Sequence, residues 1–361
     1  MALLADLDGK DILFTWGLFG VQFDELHDGK KQIITRLHQL LSQSAGRVDR
    51  LQDESHALKR EQSTSTIFIA YWLSCQDYKA WKEDVFQPFW DGLPDDAGVW
   101  REVMTVPKSR YMFSTGSPVA TGFASLVGMK PSTDAGYWGV YRHRMSETPD
   151  QYTAPGDTFT SPYTSKSTSK PKPGKKLVNL EKRYPDTVHS GRVKITKVPN
   201  NMCFVREVQG QPDLPKEELD AWLQSLNPYF RSWVDHLTTN HNMNGVVSFS
   251  THLALESHAT EDQQSIPDPA DEPEREDVPI PEANQLMYFL DLADFELAGR
   301  AFKDHVKLRN TTMEFYGPGG KFSGSGKLHL MVEMCVLKSE DLDAEYIGCK
   351  EGTRLMILED L

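Results

Sequence analysis

Two apolar rhythms alternate along this chain, and they run in the same order twice. A period of two residues marks strands and a period near 3.6 marks helices. In the first half, Ile12–Phe23 (ILFTWGLFGVQF) reads as a strand, followed by a helix with Ile33, Ile34, Leu37, Leu40 and Leu41 on one face. The run Ser65–Ser74 (STIFIAYWLS) reads as a second strand. Ser74, with Asp77 three residues on, predicts the capped start of a helix carrying Tyr78, Trp81 and Phe86. Trp100–Pro107 closes this half as a strand. The second half opens with a strand over Gly136–Met145 (GYWGVYRHRM) and a hairpin over Gly191–Gly210, turning at Pro199-Asn200-Asn201. A helix opening at Pro215 is expected to bury Leu219, Trp222, Leu223 and Leu226 and to kink at Pro228. Strands Gly245–Leu255 and Gln285–Ala293, a helix through Arg300 to Leu308, and strand Lys327–Leu337 complete it. Strand–helix–strand repeated in this way predicts an α+β fold of two ferredoxin-like halves, 1–130 and 131–361. Packed sheet to sheet, or closed as a barrel, they form one compact unit around a sheet-lined apolar cavity flanked by helices. That cavity is a place for a small ligand.

Two stretches stand apart from this rhythm. Residues 146–176 are Ser, Thr, Pro and Lys with few aliphatics, and residues 256–283 are acidic and rich in Pro. Neither offers enough apolar surface to offset the entropy of ordering, so both are expected to be long loops or linkers. The rest is amply apolar: 39% of the 361 residues are hydrophobic, including eight Trp and seventeen Phe. A net charge of −13 argues against nucleic acid or an anionic membrane as a partner, since either needs a basic face. No apolar run reaches the roughly 20 residues of a membrane span, and the first residues lack the cationic segment of an export signal. Cys75, Cys203, Cys335 and Cys349 have no metal-type spacing and sit in or beside apolar strands, as buried thiols in a reducing cytoplasm would.

The stretch Gly136–Met145 carries the most chemistry. Period two puts Trp138, Val140, Arg142 and Arg144 on one face, with Tyr137, Tyr141 and His143 on the other. Two arginines beside a tryptophan belong either to a solvated surface or to a pocket wall that holds a polar ligand group.

Four blocks in order, FGVQF (Phe19–Phe23), AYW (Ala70–Trp72), GYWGVYRHRM and the long run Lys327–Met356, resemble the haem-containing dehydratases typified by aldoxime dehydratase. The resemblance runs nearly end to end. It implies two ferredoxin-like halves, haem b in an apolar cavity, and conversion of R–CH=N–OH to a nitrile. In that family a distal His donates the proton that lets hydroxide leave, and an Arg and a Ser orient the oxygen. Carried over by position, the Arg is Arg144, while the Ser falls on Glu207, the distal His on Val332 (followed by Glu333) and the proximal His on Arg309. His305, four residues before Arg309, is the candidate haem ligand if haem is held; after Lys303 and Asp304 it otherwise reads as a surface residue.

Loss of the family's histidines makes a haem-free, repurposed enzyme the leading expectation, with no cofactor and no metal. Arg144 and Glu207 would be its catalytic groups, with Trp138, Val332, Arg309, Arg142 and Glu333 lining the site. Its substrate would be a small apolar metabolite, an intermediate of natural-product biosynthesis. The reaction would be a cofactor-independent dehydration, isomerisation or cyclisation, including a pericyclic one such as an intramolecular Diels–Alder reaction. Two alternatives stay open: a haem-dependent aldoxime dehydratase with shifted ligands, and a non-catalytic ligand-binding protein. A cytoplasmic chain is expected, and the fold leaves room for a homodimer.

Overall fold

The computed structural model of the chain describes residues 2–10, 12–53, 65–132, 141, 144–145, 187–210, 214–239, 245–254 and 282–358. Its elements run β1 (Leu3–Ala5), β2 (Leu13–Gln22), α1 (Asp28–Ser42), β3 (Arg47–Asp53), β4 (Ser65–Trp72), α2 (residues 75–91), β5 (Val99–Pro107) and β6 (Tyr111–Thr115). Then come α3 (Ala124–Val127), β7 (Met129–Pro131), β8 (Arg192–Ile195), β9 (Met202–Gln209), α4 (residues 216–239) and β10 (Val246–Ala254). The chain continues through β11 (Ala283–Phe289), α5 (Leu292–Ala301), α6 (Lys303–Tyr316), β12 (Leu330–Leu337) and β13 (Leu342–Ile347).

All the strands join one antiparallel sheet in the order β7-β1-β6-β12-β9-β11-β10-β3-β4-β2-β5-β13-β8. Within it lie two four-stranded units of identical topology, β5-β2-β4-β3 and β12-β9-β11-β10, each in the ferredoxin-like order of fourth, first, third, second. They meet edge to edge where β3 pairs with β10. Each unit also sends the strand after its last one to the other: β6, following β5, pairs with β12, and β13, following β12, pairs with β5. The exchange covers edges that would otherwise stay open. Strand β8 attaches to β13, so the expected hairpin between β8 and β9 does not form. Asn201, in the left-handed region at φ 70°, turns the chain without pairing those two strands.

Alternation gives each unit two working faces. Inner faces of both units share one core, with Trp16, Ile69 and Trp100 from the first and Phe204, Leu286 and Tyr288 from the second. Outer faces pack under helices, α1 and α2 over the first unit and α4 and α5 over the second. Gly20 in the FGVQF block shows how tight the inner contact is: a Cβ there would come within 2.1 Å of the Trp100 ring. Buried carboxylates stitch the units together. Glu333 on β12 accepts from Tyr71 Oη of the first unit at 2.7 Å, and Glu102 on β5 accepts from Tyr288 Oη of the second at 3.0 Å.

Both long helices carry the same interruption. In α2 a π-helical turn, Lys82–Phe86, precedes Pro88; in α4 the turn Trp222–Leu226 precedes Pro228. Proline lacks an N–H and crowds the carbonyl four residues back, and the wider π turn relieves both problems. The kink expected at Pro228 therefore takes this form. The turn also shifts the helix phase, which leaves Leu223 exposed at 46% rather than buried. Ser74 caps α2 as expected, accepting from the N–H groups of Gln76 and Asp77. The single helix expected through Arg300 to Leu308 is two, α5 and α6, parted at Phe302.

The loops expected at 146–176 and 256–283 lie outside the described residues, apart from the last two, and β11 already starts at Ala283. Most of the strand expected over Gly136–Met145 also lies outside them, Trp138 and Arg142 included. At its end the chain turns rather than extends, with Arg144 N–H donating to the Tyr141 carbonyl at 3.0 Å. All four cysteines are buried free thiols. Among the described residues no helix is long and apolar enough to cross a membrane.

Candidate functional site

A cleft opens between the outer face of the second unit and helices α4 and α6. Its walls are Glu207, Val208 and Gln209 of β9, Leu330, Met331 and Val332 of β12, Trp222 and Trp233 of α4, and His305, Leu308, Arg309 and Thr312 of α6. Four residues singled out from sequence, Glu207, Val332, His305 and Arg309, thus come together from three distant segments. The free volume as the chain stands is about 40 Å³.

Register explains the sheet side. Val332 and Glu207 are direct cross-strand partners, so their side chains share the helix-facing surface. Ser114 pairs with Val332 on the far side, and Gln285 with Glu207 on the near side, extending the row across neighbouring strands. Around this row the face is apolar, with Met112, Cys203, Val205, Met287 and Met334. Glu207 is buried, and burial alone pushes its carboxyl up to about 7. No described residue bonds to it to offset that cost.

On the helix side, several contacts fix α6. Ser232 of α4 donates to Asp304 at 2.8 Å. The next residue, His305, packs against Trp233 at a tilt with ring centroids 4.4 Å apart, and its Nδ1 lies 2.6 Å from the Gly299 carbonyl. A Cβ on residue 299 would sit 3.2 Å from the imidazole Cε1, so glycine there gives the ring its place. Burial lowers the His305 pKa and Arg309 adds to the effect, against the Gly299 hydrogen bond. The imidazole is therefore neutral at pH 7. A carbonyl acceptor at Nδ1 puts the proton there and leaves the Nε2 lone pair for a ligand. His305 is accordingly not the surface residue that its neighbours Lys303 and Asp304 suggest. At the rim, Glu218 of α4 accepts from the N–H groups of Lys327 and Leu328 and from Tyr316 Oη, tying α4 to α6 and to the approach of β12.

Two expected site residues sit elsewhere. Glu333 faces the opposite side of the sheet, because Val332 faces the helices and strand side chains alternate. It is wholly buried between the units, accepting from Tyr71 Oη, Tyr111 Oη at 2.6 Å and Phe123 N–H at 2.9 Å. Burial raises its pKa, against the pull of Arg206 and these donors. Arg144 lines a different cavity, of about 280 Å³, with Leu4, Lys108, Met112 and Lys130. Its Nη1 donates to Ser114 Oγ at 3.0 Å, which brings it to the end of the row that holds Val332 and Glu207 but not into the cleft. Sequence reasoning missed Trp233 as a wall residue and Gln285 as a member of the row. Period two from Met287 would have placed Gln285 on the outer face.

The fold has solved counterparts. A crystal structure of aldoxime dehydratase superposes with a TM-score of 0.72 at 17% identity, covering 99% of this chain and 90% of that one. A second, of aldoxime dehydratase in complex with butyraldoxime, gives 0.69 at 17% identity, covering 99% and 88%. No curated protein sequence matches this one. The profile of the haem-containing dehydratases matches residues 17–355, nearly the whole chain. The chain belongs to the haem-containing dehydratase family.

Proposed function

We propose that this chain is a dehydratase-type lyase that works in the cleft of its second unit, with Glu207 exchanging protons with the substrate. The observation that carries the reading is the Glu207 carboxyl, desolvated on the cleft wall and titrating at about 7. A group half protonated at neutral pH serves as acid in one step and base in the next. Loss of water from an R–CH=N–OH compound needs one proton delivered to the departing hydroxyl and one removed from carbon. Glu207 delivers the first as the N–O bond breaks, and the carboxylate so formed takes the second as the nitrile forms. Trp222, Trp233, Leu308 and Leu330 supply an apolar wall that excludes water from these transfers.

The donor set fits the family's haem. His305 is neutral, anchored through Nδ1, and placed in the cleft, so it would hold the iron; Arg309 at the same wall would meet a haem carboxylate. Bound haem supplies an iron centre that polarises the N–O bond. This supports the haem-bound alternative over the cofactor-free one. The free volume of about 40 Å³ is too small for the macrocycle as the chain stands.

That narrow volume favours a second reading, the haem-free enzyme that dehydrates, isomerises or cyclises an apolar natural-product intermediate on the same wall. Hemin titration separates the two. Under the first reading the purified protein develops a Soret band that His305→Ala abolishes, and the loaded protein converts butyraldoxime to its nitrile. A wild-type protein that stays colourless with excess hemin overturns the haem reading and leaves the second. Retention of full turnover by Glu207→Gln overturns the role of Glu207 in either.

A further inference from the structure

We infer that Gln285 is a ligand-binding residue of this cleft, its carboxamide set beside the Glu207 carboxyl to hold a substrate group that both donates and accepts a hydrogen bond. The inference rests on the cleft being a site for R–CH=N–OH compounds, as proposed above.

Gln285 is the direct cross-strand partner of Glu207, so the two side chains rise from the same face of adjacent strands, with Cβ atoms about 5 Å apart. Two residues along β11 the same face carries Met287, and two residues along β9 it carries Val205. An amide in that setting is an exception to an apolar pattern. Gln285 has no solvent exposure, and neither its Oε1 nor its Nε2 has a hydrogen-bond partner among the described residues. Buried polar groups are nearly always bonded, and one that is not costs the fold stability that leucine or methionine would restore. A second orphan donor belongs to the same cleft: Trp233, on its wall, has a buried indole N–H with no acceptor among the described residues. Unmet donors and acceptors beside an apolar cleft are the complement of a ligand's polar group.

An oxime answers both halves of the amide. Its O–H donates to Oε1, while Nε2 donates to the oxime nitrogen or oxygen. The nitrile product keeps an acceptor and has no O–H, so it loses half of this grip and leaves more easily than the substrate.

The test compares butyraldoxime with its O-methyl ether, which lacks the donor, by calorimetry on the protein as isolated. Wild type is expected to bind the oxime about five-fold more tightly than the ether, the scale of one hydrogen bond. Gln285→Leu and Gln285→Met are expected to lose that preference and also to melt higher, by roughly 2–4 °C. The two readouts together exclude a merely structural role, which predicts a lower melting point. Unchanged discrimination in both variants, or a lower melting point in both, overturns the assignment of Gln285. Failure of wild type to bind the oxime at all overturns instead the reading of the cleft on which it rests.

Discussion

The two units place the same backbone row under the same kind of helix and fill it in opposite ways. In the first unit the row facing the helices runs Glu345, Arg101, Phe19, Phe68, Arg50. In the second the equivalent positions are Ser114, Val332, Glu207, Gln285, Thr251. The equivalence follows from the shared strand order and from Glu102 and Glu333, each facing inward one residue after the row. Phe19 and Phe68 are wholly buried, and Arg101 donates to Glu345 at 2.9 Å beneath the rings of Phe86 and Trp90. At Phe19 and Phe68 the first row is filled by buried aromatic rings, and open space under α2 lies further along β5, beside Val103 and Thr105. At the same places the second row carries a carboxyl and an amide with no hydrogen-bond partner among the described residues. Since both helices have the π turn before proline, helix geometry is not what separates the two rows. The row's side chains are.

That contrast predicts opposite responses to substitution. The largest effect belongs to the packed row: Phe19→Ala should cost about 3–5 kcal/mol in denaturant unfolding, as a buried aromatic lost to a cavity does. If it costs less than Glu207→Ala, the assignment of filled and open interfaces is reversed. Next comes a pH effect. Glu207 rises from its ordinary 4.5 to about 7 on burial, so between those values the folded chain keeps a proton that the unfolded chain releases. Stability contributed by this group is therefore full below about 4.5 and is lost as pH climbs through 7, by up to about 3 kcal/mol. Glu207→Gln should lack that slope and be the more stable protein above pH 7, as paired melts from pH 5 to 8 would show. In catalysis the same variant should turn over about 100-fold more slowly, the lower end of what a general acid contributes. The smallest effect is a control on the scaffold: Ser74→Ala, which removes the α2 cap, should cost about 1 kcal/mol and leave ligand binding in the other unit untouched.

Local signals were readable where the residues themselves decide the outcome. Ser74 as a cap, the outer stripe of α1 and the period-two strands around Trp16, Ile67 and Phe204 need no distant partner to be recognised. Strand β3, RVDRLQD, is hidden in the sequence because Asp49 finds its partner far off, accepting from Arg206 of the other unit at 2.6 Å. The exchange of β6 and β13 was equally out of reach, since either strand could have paired within its own unit. Glu207 and Val332 were found through family position, and alternation then should have excluded Glu333 from the same face. His305 was misleading because its neighbours are polar; only the Trp233 and Gly299 contacts draw it inward. The repeated Gln/Asn-Pro-aromatic-aromatic steps at 87–90 and 227–230 record the internal symmetry in plain text.

The most direct measurement is the titration of Glu207 itself, followed through its carboxyl stretch by difference infrared spectroscopy with Glu207→Gln as the blank. A midpoint at about 7 that moves when butyraldoxime binds is the predicted result. A midpoint in the ordinary carboxylate range, about 4, and indifferent to the ligand would contradict the account.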